Sequence, residues 1–220
     1  MKLGVFQATF NPIHKAHLRV EEFVTGKYKF DKFLFIPAFN PPHKSCDTSL
    51  SFHRLNMVKL AVQDNPKFDV SDIEFQRAGN SYTYLSIGVL YKMFDIDGKT
   101  NFVIGTDAFQ YIESWYEVDK LKKIVKFIIF VREDNFEISK YDYLKGKGFD
   151  FEFESLPFED ISSTELRNRI ILNKPINDLV TKEVEDYIYK NGLYKNWIRW
   201  INDVVKRTSQ RKKIYSFYWD

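Results

Sequence analysis

The chain of 220 residues has only one cysteine, Cys46, so no internal disulfide can form, which suits a reducing compartment. It also lacks any apolar run of membrane-spanning or signal-peptide length; the opening M-K-L-G-V-F-Q is too short to be either. The expected setting is therefore soluble and cytoplasmic, with no membrane partner. No G-x-x-x-x-G-K-[ST] loop is present, and no G-x-G-x-x-G follows the first apolar run, which removes the two commonest glycine-rich phosphate cradles. There is no H-E-x-x-H, so the metalloprotease form of zinc site is also missing. A one-sided charge excess is missing from the main body too. The formal net charge is +3, but Lys195 to Asp220 holds seven Lys/Arg against two Asp/Glu, leaving the rest slightly acidic.

What is present is an alternation of strand-like and helix-like runs. Short apolar stretches at Lys2–Phe6, Phe33–Ala38, Asn101–Gly105 and Lys126–Arg132 read as buried strands. Phe68–Phe75 and Asp150–Ser155 alternate at period two and read as strands as well. Helices are expected at 17–29, 51–62, 82–94, 115–124, 163–172 and 181–190, with Asn191-Gly192 capping the last. This order predicts an α/β fold with a doubly wound, mostly parallel sheet, and ligands at the carboxyl ends of its strands. The expected domain runs over 1–194, followed by a basic, aromatic-rich extension at 195–220. The helical spacing of Trp197, Trp200, Ile201, Val204 and Val205 favours a helix packed on the body or across a subunit interface over a nucleic-acid contact.

Five stretches carry candidate chemistry. T-F-N-P-I-H-K-A-H (9–17) places His14 and His17 three apart at an expected helix start, where they are either polar loop residues or a phosphate-holding pair at a positive dipole end. N-P-P-H-K (40–44) stiffens a loop around His43 and Lys44, a loop lysine that is either solvated or set against an anion. I-S-S-T-E-L-R (161–167) offers Ser162 or Ser163 as N-cap, with Arg167 able to reach an anion at the same helix start. V-I-G-T-D (103–107) ends a strand on Gly105, with Asp107 able to bond a sugar or base. Trp115 and Tyr116 either pack in the core or stack on a flat ring.

In this order, together with F-H-R-L-N-M-V-K-L-A, R-A-G-N-S-Y-T (77–83), V-R and the closing V-E-D-Y-I-Y-K-N-G-L-Y, these stretches resemble the bacterial nicotinate-nucleotide adenylyltransferases. These belong to the nucleotidyltransferase superfamily with the H-x-G-H signature. The resemblance runs from Leu3 to about Tyr194. It implies adenylyl transfer from ATP to nicotinate mononucleotide, giving the deamido dinucleotide and pyrophosphate in NAD biosynthesis, with Mg²⁺ travelling on the triphosphate. It implies His14, His17 and Arg167 as catalytic groups. Thr9, Phe10, Gly105, Asp107, Arg132, Ser163 and Thr164 would lie at ATP. Lys44, Thr83, Trp115 and Tyr116 would lie at the mononucleotide. The sequence departs from the usual G-G-T-F-D-P-x-H-x-G-H at Gln7-Ala8, Asn11 and Ala16. The competing readings are transfer to another phosphate monoester such as the amidated mononucleotide, and a nucleotide sensor without turnover. Acid versus amide preference and assembly into homo-oligomers stay open.

Overall fold

In the computed structural model, which describes residues 1–42, 48–77, 79–131, 136–155 and 161–195, the chain alternates between strands and helices. In order these are β1 (Leu3–Ala8), α1 (Lys15–Tyr28), β2 (Lys32–Pro37), α2 (Ser51–Val62), β3 (Phe68–Val70), α3 (Ile73–Arg77) and α4 (Thr83–Met93). They continue with β4 (Thr100–Gly105), α5 (Thr106–Phe109), α6 (Val118–Ile124), β5 (Val125–Val131), α7 (Tyr143–Gly146), β6 (Asp150–Ser155), α8 (Ser163–Ile171) and α9 (Lys182–Lys190).

All six strands are parallel, in the order β3–β2–β1–β4–β5–β6. The order reverses between β1 and β4, so that is where a crevice is expected in a doubly wound sheet. The register shows the two strands parting there. β1 stays paired with β2 as far as Ala8 opposite Pro37, but its pairing with β4 stops at Phe6 opposite Val103. Gln7 and Ala8 on one side, and Ile104 and Gly105 on the other, lie past the last paired rung.

Alternation along β1 divides the core. Phe6 joins a cluster with residues of α1, α2, α8 and α9, including Val20, Met57, Leu166 and Val184. Leu3 and Val5 join a second cluster with Ile87 and Leu90 of α4 and Leu121 of α6. Both sheet faces are thus covered, which is why the central strands are apolar on both sides. Gly4 is required by this packing: a Cβ there would come within 2.5 Å of the Phe33 ring.

The sequence expectation fails in two places. The alternating run Phe68–Phe75 is not one strand: β3 ends at Val70 and α3 begins at Ile73. The Asp72 carbonyl accepts from the N–H groups of Phe75 and Gln76, turning the chain and sending Glu74 inward to buried partners. A period-two pattern arises here from a three-residue strand followed by a helical turn. The second failure is the helix expected from Trp115. Trp115 is extended (ψ 145°), Glu117 is left-handed (φ 52°), and α6 starts only at Val118. At the other end of the domain the expected cap forms fully. Gly192 has φ 59°, its N–H bonds the Tyr189 carbonyl, and Leu193 N–H bonds the Ile188 carbonyl.

On α1 a buried carboxyl interrupts the apolar pattern of the core. Glu21 on α1 is fully buried, and burial pushes its carboxyl up to about 9, with the Glu22 charge adding and the Thr25 hydroxyl opposing. The folded chain holds this proton while the unfolded chain releases it near the usual value. The contribution of this group to stability therefore falls as pH rises from about 4.5 to about 9 and is constant on either side. Glu21→Gln is expected to stabilise the protein at pH 7–8 by about 2–3 kcal/mol and to leave stability near pH 4 almost unchanged. Urea melts at the two pH values check this; equal shifts at both would refute it.

Candidate active site

The loop from Thr9 to His14 leaves β1 just past the point where its pairing with β4 ends. Phe10 takes a left-handed conformation (φ 47°), a strained one for an aromatic residue, and buries its ring against Phe6, His17 and Phe35. The Phe10 side chain is thus core, and only its main chain can face a ligand. His14 is the N-cap of α1 and His17 lies in its first turn; both are buried, with ring centroids 3.7 Å apart. The His14 N–H donates to His17 Nδ1 at 3.2 Å. A neutral imidazole that accepts at Nδ1 carries its proton on Nε2, so His17 is held as an Nε2–H donor. The first turn of α1 has no acidic residue to offset its positive dipole end.

The α8 start is tied to the same loop across about 150 positions of sequence. Ser163 Oγ donates to the Pro12 carbonyl at 3.0 Å, and Arg167 Nη1 donates to the Asn11 carbonyl at 2.7 Å. Arg167 also donates to Thr164 Oγ1 at 2.9 Å. Ser162 is the N-cap, its hydroxyl accepting from Glu165 N–H. From the far end of the domain, the Tyr194 hydroxyl donates to Asn11 Oδ1 at 2.9 Å. Asn11, one of the departures from the usual pattern, is thus held at both its main-chain and its side-chain oxygens. The pair of histidines, an arginine and two helix starts converge on one loop: an arrangement suited to a polyphosphate.

A second group gathers around the exits of β2 and β4. Asn40 and Ser81 exchange bonds: Asn40 N–H to Ser81 Oγ, and Ser81 N–H to the Asn40 carbonyl, both at 2.9 Å. Tyr82 caps α4, which starts at Thr83, and its ring stacks on Tyr116 at 4.5 Å. Tyr116 is 46% exposed, and Trp115 meets Phe102 edge-on. Gly105 ends β4, and Asp107 is exposed in the first turn of α5. Lys44 and Arg132 lie outside the described residues, as does the extension from 196 on, so the expected boundary at 194/195 falls where the description stops.

Sequence reasoning missed the residues that join the two groups. Arg54 is fully buried and donates to three main-chain carbonyls: Thr9 and Ala38, each at 2.6 Å, and Phe39 at 3.1 Å. Buried Glu74 accepts from Gln7 Nε2, from Ser86 Oγ at 2.6 Å and from Phe39 N–H at 3.1 Å. The F-H-R stretch was visible as part of the resemblance, but nothing in it said that the arginine points inward. The departures are accommodated. The Gln7 side chain turns to Glu74, Ala8 packs against the core, and the Ala16 methyl is itself buried in it.

Among the described residues no three His, Cys, Asp or Glu side chains cluster as a metal site, and no helix is long and apolar enough to cross a membrane.

Comparison with known proteins gives these observations a context. The cytidylyltransferase-like family model matches residues 5–169. The chain is 37% identical to a probable nicotinate-nucleotide adenylyltransferase of Caldicellulosiruptor bescii, over 89% of this chain and all of that one. It is 35% identical to the nicotinate-nucleotide adenylyltransferase of Bacillus subtilis, over 89% of this chain and 99% of that one. In fold it is similar to the Plasmodium falciparum nicotinic acid mononucleotide adenylyltransferase solved with NaAD. That match has a TM-score of 0.68 and 24% identity, over 88% of this chain and 97% of that one.

Proposed function

We infer that the chain, which belongs to the nicotinate-nucleotide adenylyltransferases within the cytidylyltransferase-like family, joins ATP to nicotinate mononucleotide, giving nicotinate adenine dinucleotide and pyrophosphate. It is a nucleotidyltransferase of NAD biosynthesis. The mononucleotide phosphate is already anionic, so its oxygen attacks the α-phosphorus of ATP without a strong base. Catalysis then consists of bringing two anions together and stabilising charge on the α-phosphate and the departing pyrophosphate.

The observation that carries this division of labour is the junction of the histidine loop with the α8 start, through Arg167 and Ser163, beside the point where β1 and β4 part. His14 and His17 meet the ATP phosphates. His17 offers its Nε2–H to the oxygen on which charge builds, and the positive end of α1 adds to it. Ser163, Thr164 and Arg167 hold the outer phosphates. The main chain of Thr9 and Phe10, together with Gly105 and Asp107, faces the nucleoside side, with Arg132 beside the adenine. Thr83, Trp115 and Tyr116 receive the pyridine ring and its carboxylate, and Lys44 its phosphate. Mg²⁺ arrives with ATP as part of the substrate and needs few protein ligands. The setting is the cytoplasm, where these nucleotides are found.

The test is pyrophosphate release with Mg-ATP, run in parallel with nicotinate and nicotinamide mononucleotides. The expected result is a preference for the acid of about tenfold or more, since one charge separates the two. Preference for the amide would overturn the pocket assignment, and release with neither would overturn the activity.

A further inference from the structure

At the exit of β2, every main-chain N–H and C=O of Ala38, Phe39 and Asn40 has a partner, and the partners come from four different places. Ala38 N–H bonds the Ala8 carbonyl at the end of β1. Arg54 of α2 takes the carbonyls of Ala38 and Phe39. Glu74 of α3 takes the Phe39 N–H. Ser81, just before α4, takes both groups of Asn40. So complete a set of bonds on three consecutive loop residues leaves them no local freedom.

Two buried charges grip the same residue, Phe39, from its two ends. Each also reaches back to β1 or its exit: Arg54 to the Thr9 carbonyl at 2.6 Å, Glu74 to the Gln7 side chain. Burying a charge is costly, and apolar packing of similar volume is generally at least as stable. The pair therefore contributes geometry rather than raw stability. Gln7 completes it: where the family pattern has glycine, this chain has an amide that reaches Glu74.

We propose that Glu74 is a positioning residue for the mononucleotide. Through Phe39 and the Asn40–Ser81 exchange it fixes the start of α4, and with it Thr83, at a set distance from the phosphate-facing loop. The proposal rests on the functional reading above. A displacement of about 1 Å between reacting groups can lower the rate by up to about 10²-fold, so a brace between the two halves of the site has a kinetic effect out of proportion to its contacts.

Glu74→Gln tests it, because it keeps the shape and removes the charge that accepts from Gln7, Ser86 and Phe39 together. The assay uses whichever mononucleotide the wild-type chain prefers. Expected is a rise of about tenfold in KM for the mononucleotide, with KM for ATP within about twofold. A residue serving stability alone would lower the melting temperature and the active fraction and leave both KM values alone; that result overturns the proposal. If Glu74→Gln does not fold, Ser81→Ala removes only one tie to Asn40 and is expected to raise the same KM about threefold. An unchanged KM there would overturn the proposal equally. A wild type inactive with both mononucleotides overturns the functional reading and this proposal with it. An active wild type beside a variant with an unaltered KM overturns this proposal alone.

Discussion

Replacing His17 by alanine is expected to lower the rate of pyrophosphate release about 10²–10³-fold, the usual effect of losing one preorganised donor to a developing oxyanion. On the proposed roles, the loss should fall on kcat more than on the affinity for ATP, because Arg167 and the start of α8 would still hold the triphosphate. Alanine is a good residue for the first turn of a helix, so α1 should persist. The space left beside the Phe6 and Phe10 rings costs some stability, about 1–2 kcal/mol, which is too little to unfold the chain. Stopped assays with Mg-ATP, together with a melting curve, separate the two effects. Near-normal turnover in the variant would remove His17 from the mechanism.

That prediction concerns the part of the site most legible in sequence. The T-F-N-P-I-H-K-A-H and I-S-S-T-E-L-R stretches announce themselves by residue type at helix starts, where unpaired N–H groups favour anions whatever the rest of the fold does. The apolar strands were readable for a similar reason, since burial on both faces leaves only one kind of residue. The second half of the site was harder. Trp115 and Tyr116 were expected in a helix, yet they precede it, because a left-handed Glu117 breaks the chain just before α6. Glu74 fell inside the run 68–75, which alternation marked as a strand. A charged residue within such a run gives no hint that its partners lie 67 positions earlier, at Gln7, and 12 positions later, at Ser86.

Arg54→Ala is expected to destabilise the fold by about 3–5 kcal/mol. The carbonyl of buried Ala38 and those of half-buried Thr9 and Phe39 lose this donor at once, and a fully buried side chain leaves a cavity. For a domain of this size the melting temperature should drop by roughly 10 °C. Arg54→Lys should recover only part of this, because a single ammonium cannot span carbonyls at the exits of both β1 and β2 as a planar guanidinium does. Thermal melts of the two variants beside the wild type decide it. A melting point within about 2 °C of wild type for the alanine variant would show that water or a neighbouring group replaces the arginine.

The bonds on Asn11 carry a consequence for how the protein comes into being. Its two oxygens are held from 156 and 183 positions further along, by Arg167 and Tyr194. Because synthesis runs from the N-terminal side, the histidine loop is made well before the groups that set it. Until those groups are made, the loop lacks the two bonds that hold Asn11. The setting of this loop is in this sense a late event in biogenesis.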